Sequence, residues 1–414
     1  MIPAPCRTGT RQLQKKKLPH AFGGNIPVNM KTGKEKACKM RAFSLAGPHG
    51  RVRVMKCDII IIGGGIAGIS AAARLSAHAS VVLLEAEETL GHHASGRSAA
   101  MFEREYGNRV VRALNHASEE YLTQENGGVL SPRGILMVAR ADQLEHFSQE
   151  MAEMSLEPLG VAEACEMVPI LRREKVAAAA GNTWARDLDA DRLLQDFAKR
   201  ARAAGAVFHT RAPAGPIARA GGLWQVKTPQ EDFVAPVIVN AAGAWVDEIA
   251  CMAGVSPLGF VPLRRSIAQI PAPAGHDVRD WPMLHGACES WYAKPEAGKL
   301  LVSPSEEDPA EPHDAWADDM VLAEGLARYE EMVTAPVTRV EASWAGLRTF
   351  APDRSPVIGF DGEAPGFFWL AGQGGYGFQT SPAASSLAAD LILSRPPELE
   401  TRVVAALSPE RFAP

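Results

Sequence analysis

Six residues, Gly63-Gly64-Gly65-Ile66-Ala67-Gly68, constrain this chain more than any others, because of what flanks them. Residues 57–62 form a continuous run rich in isoleucine, the pattern of a strand buried on both faces of a parallel sheet. After the glycines come an alanine-rich helix to about residue 78 and a second strand over 81–85 that ends on Glu85. The strand–helix–strand unit takes about thirty residues, the length a parallel crossover requires. Each glycine then has a mechanical reason. Gly63 makes the tight turn, Gly65 lets a pyrophosphate approach backbone N–H groups, and Gly68 lets helix and strand pack closely. Ile66 and Ala67 open the helix, whose N-terminal dipole favours phosphate. Glu85 can accept both hydroxyls of an adenosine ribose, and an acid there disfavours the 2′-phosphate of NADP. Residues 59–73 could pass for a signal-peptide core, but they are too short to span a bilayer and are broken by three consecutive glycines. They also lead into a second strand, which a cleaved signal would lack.

An NAD-binding fold would continue with further strand–helix–strand units. Here the next segment is GHHASGRSAA over 91–100, a Gly/Ser loop running into a helix. Two more strands run into small-residue loops, VIVNAAGAW over 237–245 and FWLAGQGGYGFQT over 368–380. Three widely separated loops of this kind suit a long, extended ligand, and FAD is one.

A chain of 414 residues is too long for one hydrophobic core, so two connected domains are expected. Its six cysteines (Cys6, Cys38, Cys57, Cys165, Cys251, Cys288) show no CxxC spacing, which excludes a disulfide scaffold or zinc ribbon and fits a reducing, cytoplasmic compartment. Of the 43 Lys/Arg and 48 Asp/Glu residues, twelve basic ones and only Glu35 fall in residues 1–54. The remainder is acidic and offers no nucleic-acid surface. Residues 1–54 are rich in Gly, Pro and Lys without a helical or strand period, the composition of a disordered leader. Three readings of that segment stand: a dispensable leader or a start placed too early (Met55 precedes the first strand), a targeting segment, or a functional tail.

From Met55 onward the chain resembles the FAD-dependent D-amino acid oxidase superfamily, and within it is most similar to the bacterial D-arginine and D-amino acid dehydrogenases. The stretches that carry this are GGGIAGISAAARLSAHASVVLLE, SGRSAA, VRAL, PILRREKV, VNAAGAW, PLRRS, DWPML, ESWYAKPEAG, WAGLR and AGQGGYGFQTS, in order along nearly all of residues 55–414. The resemblance implies an α/β plus α+β architecture: a Rossmann-like FAD-binding domain from 55–133, 191–259 and 341–414, and a discontinuous mixed-sheet substrate domain from 134–190 and 260–340. The sequence is compatible, since 267–270, 290–294 and 299–303 read as short strands and 187–192 as a cap opening a helix over 193–204. Position by position, the resemblance puts Arg97, Ser98, Ala99 and Ala100 along the flavin and its phosphates, and Gly243 and Trp245 along the middle FAD strand. Gly374, Gly375, Tyr376, Gly377, Gln379 and Thr380 would approach the isoalloxazine and ribityl chain. The FAD is expected to be non-covalent.

A substrate α-carboxylate in a dry site calls for a planar, bidentate partner, which means Arg rather than Lys. Arg265 and Arg348 match the family's carboxylate-binding arginines, Tyr292 a tyrosine whose hydroxyl meets the same carboxylate, and Tyr106 an active-site tyrosine. No catalytic base is nominated, because flavin chemistry asks the protein mainly for orientation and electrostatics. No metal site is expected: the eleven histidines show no HExxH or paired ligand spacing, and His92 and His93, being adjacent, should point apart. Cys288 reads as a small buried thiol.

The expected reaction is hydride transfer from the α-carbon of a D-amino acid, giving an imino acid that hydrolyses to a 2-oxo acid and ammonia. The alternatives are oxidation of another small carboxylate (an N-methyl amino acid or a 2-hydroxy acid) and a non-enzymatic electron-transfer subunit, for which a carboxylate clamp has no use. The electron acceptor, whether quinone, carrier protein or O2, is left open. The side-chain pocket departs from the D-arginine dehydrogenases: Ile135 stands where they carry a glutamate for the cationic end, and Met101 where they carry a histidine. A guanidinium buried against Ile and Met lacks a counter-charge, so a neutral, largely apolar side chain is expected, with Glu289 and His285 as the polar neighbours.

Overall fold

The computed structural model describes residues 40–47 and 50–413. The isoleucines of Ile59–Ile62 are buried because they lie inside a six-stranded sheet whose order is Val207–His209, Val81–Leu84, Ile59–Ile62, Val237–Asn240, Phe367–Ala371, Val357–Phe360. All pairings are parallel except the last. One face carries the helices Ile66–Leu75, Arg109–Gln124, Ala190–Ala203 and Gly377–Ile392. The alanines at 71–73 are fully buried there and let neighbouring helices approach closely. Asp189 caps the Ala190–Ala203 helix by accepting from the Arg192 N–H.

The other face packs on an antiparallel meander, Ile217–Ala220, Leu223–Lys227 and Asp232–Ala235, through Trp224, Val226 and Phe233 against Ile60, Ile62 and Val82. The strand Gly50–Lys56 adds to this meander in parallel with Asp232–Ala235, and Arg41–Gly47 pairs antiparallel with it. Residues 41–47 and 50–56, inside the segment read above as a disordered leader ending at 54, are therefore strands. The physical reason is that this sheet has an open edge at Asp232–Ala235, which backbone pairing fills whatever the composition of the strand. Residues 1–39, with the Lys15-Lys16-Lys17 run, Cys6 and Cys38, lie outside the described residues.

A nine-stranded, mainly antiparallel sheet forms the second layer. Its order is Asp308–Pro309, Val261–Pro271, Lys299–Ser303, Trp291–Glu296, Met283–Gly286, Ile135–Ala139, Ala178–Asn182, Glu157–Leu159, with Ala342–Phe350 on the outer side of Val261–Pro271. Strand alternation divides its side chains. Leu136, Val138, Leu284 and Trp291 join a core with the helix Asp319–Met332, while Ile135, Met137, Met283 and Tyr292 face the opposite way. The strand Ala342–Phe350 pairs with Val261–Pro271 along its whole length, so residues 342–350 belong to the substrate sheet and not to the nucleotide domain assigned above. A small sheet of Met101–Phe102, Arg186–Leu188 and Leu130–Pro132 also crosses the expected boundary. Among the described residues no helix is long and apolar enough to cross a membrane.

Candidate active site

Gly63 takes φ +109°, and a Cβ there would fall 2.3 Å from the Ala241 carbonyl oxygen. A Cβ on Gly68 would fall 2.0 Å from the Gly63 oxygen, so both positions admit only glycine. The Ile66 N–H donates to Ser95 Oγ at 3.0 Å, tying the glycine turn to the loop after the second strand. Glu85 is buried at the end of that strand, its Oε2 accepting from the Gly64 N–H at 2.6 Å and its Oε1 from the Glu87 N–H at 2.8 Å. Each oxygen keeps a lone pair for a ribose hydroxyl. These groups open on a cavity of about 370 Å³ that also takes in Gly243 and Trp245.

A second cavity of about 240 Å³ continues from the first, the two sharing Gly65, Ser95, Arg97, Gly243 and Leu347 as walls. Ser98, Ala99 and Ala100 line it from one side, and Gly374, Gly375, Gly377 and Gln379 from the other. The first turn of the Gly377–Ile392 helix meets the cavity with its free N–H groups and positive dipole end, which favours negative charge there. One elongated trough thus runs from a glycine turn and a ribose-ready carboxylate to a small-residue loop at a helix N-terminus. Its length and chemistry fit FAD.

The far wall is the substrate sheet. In the antiparallel register Leu263 faces Arg348 and Arg265 faces Gly346, which puts Arg265 and Arg348 on one face as diagonal neighbours. Both guanidiniums line the cavity together with Tyr106, Tyr292 and His285. Arg348 has no hydrogen-bond or ion-pair partner among the described residues, and its open surface lies toward the cavity. Tyr292 is 3% exposed and its hydroxyl is likewise unpartnered. Arg265 is held: its Nε donates to the Glu306 carbonyl at 2.8 Å and its Nη2 meets Glu307 Oε1 at 3.3 Å. Tyr106 packs edge-on against Tyr376 at 5.3 Å between ring centroids, and burial raises its phenol above the usual range. Burial, then the charge of Arg265, pushes His285 down to about 4, so its imidazole is neutral near pH 7. An unpaired guanidinium, a second beside it and a free phenol hydroxyl make a receptor for one planar anion. Around it Met101, Ile135, Met154, Ile267 and Met283 supply apolar wall, and Glu289 reaches the cavity from an exposed turn.

Gly68 packs as expected against the Gly63 carbonyl and Ile61, off the trough wall. Several other sequence expectations need adjusting. Tyr376 and Thr380 do not line the trough: the Thr380 hydroxyl donates to the Tyr376 carbonyl, and Tyr376 backs Tyr106 and Phe350. Arg97 lines both cavities, but its guanidinium is spent on the carbonyls of Ala315 and Ala345 and on Asp314, binding the loop 310–316 to the trough instead of offering itself to a phosphate. The Gln379 amide is engaged by the Glu103 N–H and the Asn115 side chain. His92 and His93 do not point apart; their rings meet edge-on at 4.8 Å, and with Glu87 they bring ligand-type atoms within 4.8 Å of one another. Cys288 is exposed, not buried.

Two acids in this region escaped sequence reasoning. Glu103 is 5% exposed, lines the trough two residues after Met101, and is pushed up to about 8 by burial and then by Glu105. Glu307 follows the strand Lys299–Ser303 and reaches Arg265 across 42 residues of sequence. A Glu beside a short strand, with other acids next to it in sequence, carries no local signal of either placement.

Comparison with known proteins bears on the family and the fold. The model of the DAO family, described as FAD dependent oxidoreductase, matches residues 58–391. Human mitochondrial dimethylglycine dehydrogenase is 27% identical over 392 residues, covering 86% of this chain but 44% of that protein. The chain therefore spans less than half the length of that relative. The glycine oxidase of Geobacillus kaustophilus is 27% identical over 363 residues, covering 81% of this chain and 92% of the enzyme. Its crystal structure superposes with a TM-score of 0.73 at 23% identity, covering 85% and 98% of the two chains, and that of L-proline dehydrogenase from P. horikoshii with 0.74 at 23%, covering 86% and 98%. These relatives bear the names of several amine donors, a wider circle than the D-arginine dehydrogenases singled out by the sequence motifs.

Proposed function

The chain belongs to the DAO family of FAD-dependent oxidoreductases, and on that premise we propose that it oxidises the carbon bearing the amino group of a small amino carboxylate, with a D-amino acid of neutral, apolar side chain as the preferred donor. The observation that carries this reading is Arg348, a guanidinium open to the trough with no hydrogen-bond or ion-pair partner among the described residues, flanked by Arg265 and the unpartnered Tyr292 hydroxyl. Such a charge is tolerated where a ligand completes the pair. Bound FAD supplies the hydride acceptor. Arg348 and Tyr292 hold the substrate carboxylate, and that single anchor fixes which carbon faces the cofactor. Tyr106, with a phenol kept protonated by burial, closes the trough beside them and keeps water from the reacting carbon. The donor reacts as a neutral amine, whose lone pair assists hydride loss, and the imino acid released hydrolyses in water to a 2-oxo acid and ammonia.

The walls set the side-chain preference. Met101, Ile135, Met154 and Met283 offer about 0.8 kcal/mol for each CH₂ they bury, whereas His285 is neutral and supplies no counter-charge for a cation. A second reading, a secondary amine such as an N-methyl amino acid, draws support from the likeness to dimethylglycine dehydrogenase. Steady-state rates with one artificial electron acceptor, comparing D- and L-leucine, D-methionine, D-phenylalanine, D-arginine, sarcosine and 2-hydroxyisocaproate, test the proposal. The expected order puts the apolar D-amino acids first. Highest kcat/KM for D-arginine overturns the pocket argument, and highest for sarcosine selects the second reading.

A further inference from the structure

Glu307 does not line the cavity but pairs with Arg265, which does, and the proposed function makes no use of it. Its Oε1 meets Arg265 Nη2 at 3.3 Å and Arg354 Nη2 at 3.0 Å, so one carboxylate is shared by a guanidinium inside the trough and one at its rim. Arg354 is half-exposed and stacked on Phe350, 3.9 Å from the ring centroid, which fixes the outer end of the bridge. Arg265 does not need Glu307 to keep its place. Its Nε is held by the Glu306 carbonyl, and its backbone by the register with Ala342–Phe350. What Glu307 contributes is charge. Arg265 and Arg348 bring two positive charges to one wall; Glu307 pairs with Arg265 and acts on Arg348 only through space, so Arg348 forms no ion pair among the described residues.

We propose that Glu307 is a specificity-determining residue that sets the net charge of the carboxylate site, restricting it to ligands with one carboxylate and rejecting short dicarboxylates. This deepens the proposed function and rests on it, since it takes Arg348 and Arg265 as the anion receptor. A second carboxylate brought beside the buried Arg265 meets the Glu307 oxygen as a like charge, and negative groups placed that way discriminate between ligands. Glu307→Gln keeps the shape and the hydrogen-bond acceptor toward both arginines while removing the charge, leaving two uncompensated guanidiniums for a dianion.

The test uses the FAD-loaded enzyme and two simple probes, acetate and malonate, with binding read from the change in flavin absorbance. Wild type is expected to bind acetate more tightly than malonate. Glu307→Gln is expected to raise the ratio of malonate to acetate affinity by about tenfold or more, and Glu307→Asp to restore the wild-type ratio. A purely structural Glu307 would weaken both probes together, and an unchanged ratio in Glu307→Gln overturns the proposal. If that variant fails to fold, the wild type still decides, because tighter binding of malonate than of acetate contradicts a site limited to one carboxylate. Failure of the underlying reading looks different: acetate that does not bind wild type, or binds Arg348→Ala equally well, removes the receptor itself.

Discussion

Replacing Arg348 by alanine separates binding from stability in a way few active-site changes do. Arg348 stands opposite Leu263 on the cavity wall and has no hydrogen-bond or ion-pair partner among the described residues. Its removal strands no buried acid, and it deletes a cation beside Arg265, a like charge that costs the folded state. The expected consequence for the protein alone is an unchanged or slightly raised Tm. For the substrate the sign reverses, because the carboxylate loses a guanidinium that forms no ion pair among the described residues. Truncating one partner of a desolvated, hydrogen-bonded charge pair costs on the order of 2–5 kcal/mol. At about 1.4 kcal/mol per tenfold this is a loss in kcat/KM from about thirtyfold to a few thousandfold. Arg265→Ala, whose guanidinium is already shared with Glu307, is expected to lose less. Arg348→Lys recovers part of the charge but not the planar fork. The assay is steady-state kinetics on the best apolar D-amino acid, beside a thermal melt of the same FAD-loaded preparations. A loss under about threefold, or a collapse in Tm that parallels the loss of activity, refutes the reasoning.

Glu103→Gln is expected to change how stability depends on pH. An acid whose folded pKa, about 8, lies above the ordinary 4.5 keeps a proton that the unfolded chain releases, so stability declines as pH rises between those values and levels above them. The variant should gain Tm at alkaline pH and not at acidic pH; parallel curves for the two proteins would show that Glu103 does not titrate this way. Gly63→Ala should fail to retain FAD, since its Cβ collides with the Ala241 carbonyl oxygen at a φ of +109°; yellow protein of normal Tm would contradict this. A chain beginning at Met55 loses the strand Arg41–Gly47 and most of Gly50–Lys56, so its melt should fall below that of a chain beginning at Met40, and equal melts would show the hairpin to be dispensable. With an amine donor, kcat/KM should climb toward alkaline pH and then level as the substrate ammonium is deprotonated; a flat profile points to a hydroxy acid.

How much of this was legible in the sequence depended on how local the cause was. The glycine turn, Glu85 and the strands on either side lie within thirty residues and obey steric rules that any chain must follow, so they could be read directly. Arg348 and Arg265 could be named, but their meeting on one sheet face is a matter of register between strands eighty residues apart. For the same reason the strand Ala342–Phe350 was assigned to the wrong layer: its own pattern suits either sheet, and only its partner decides. The hairpin over 41–56 did leave a trace, Val52 and Val54 alternating with Arg51 and Arg53, which the basic, glycine-rich surroundings outweighed. Arg97 shows the limit from the other side, since an arginine in a cofactor loop reads as a phosphate ligand until Asp314 and the carbonyls of Ala315 and Ala345 are found around it.

The central claim is that the trough holds FAD and brings the amine-bearing carbon of a carboxylate-anchored donor to it. Anaerobic mixing of the yellow protein with a panel of D-amino acids, L-amino acids and 2-hydroxy acids tests this without reference to any electron acceptor. The flavin absorbance is expected to bleach with apolar D-amino acids, the denatured protein to release FAD, and Arg348→Ala to slow the bleaching at low donor concentration. A colourless protein that takes up no added FAD, or a holoenzyme that bleaches with none of the amines, would contradict it.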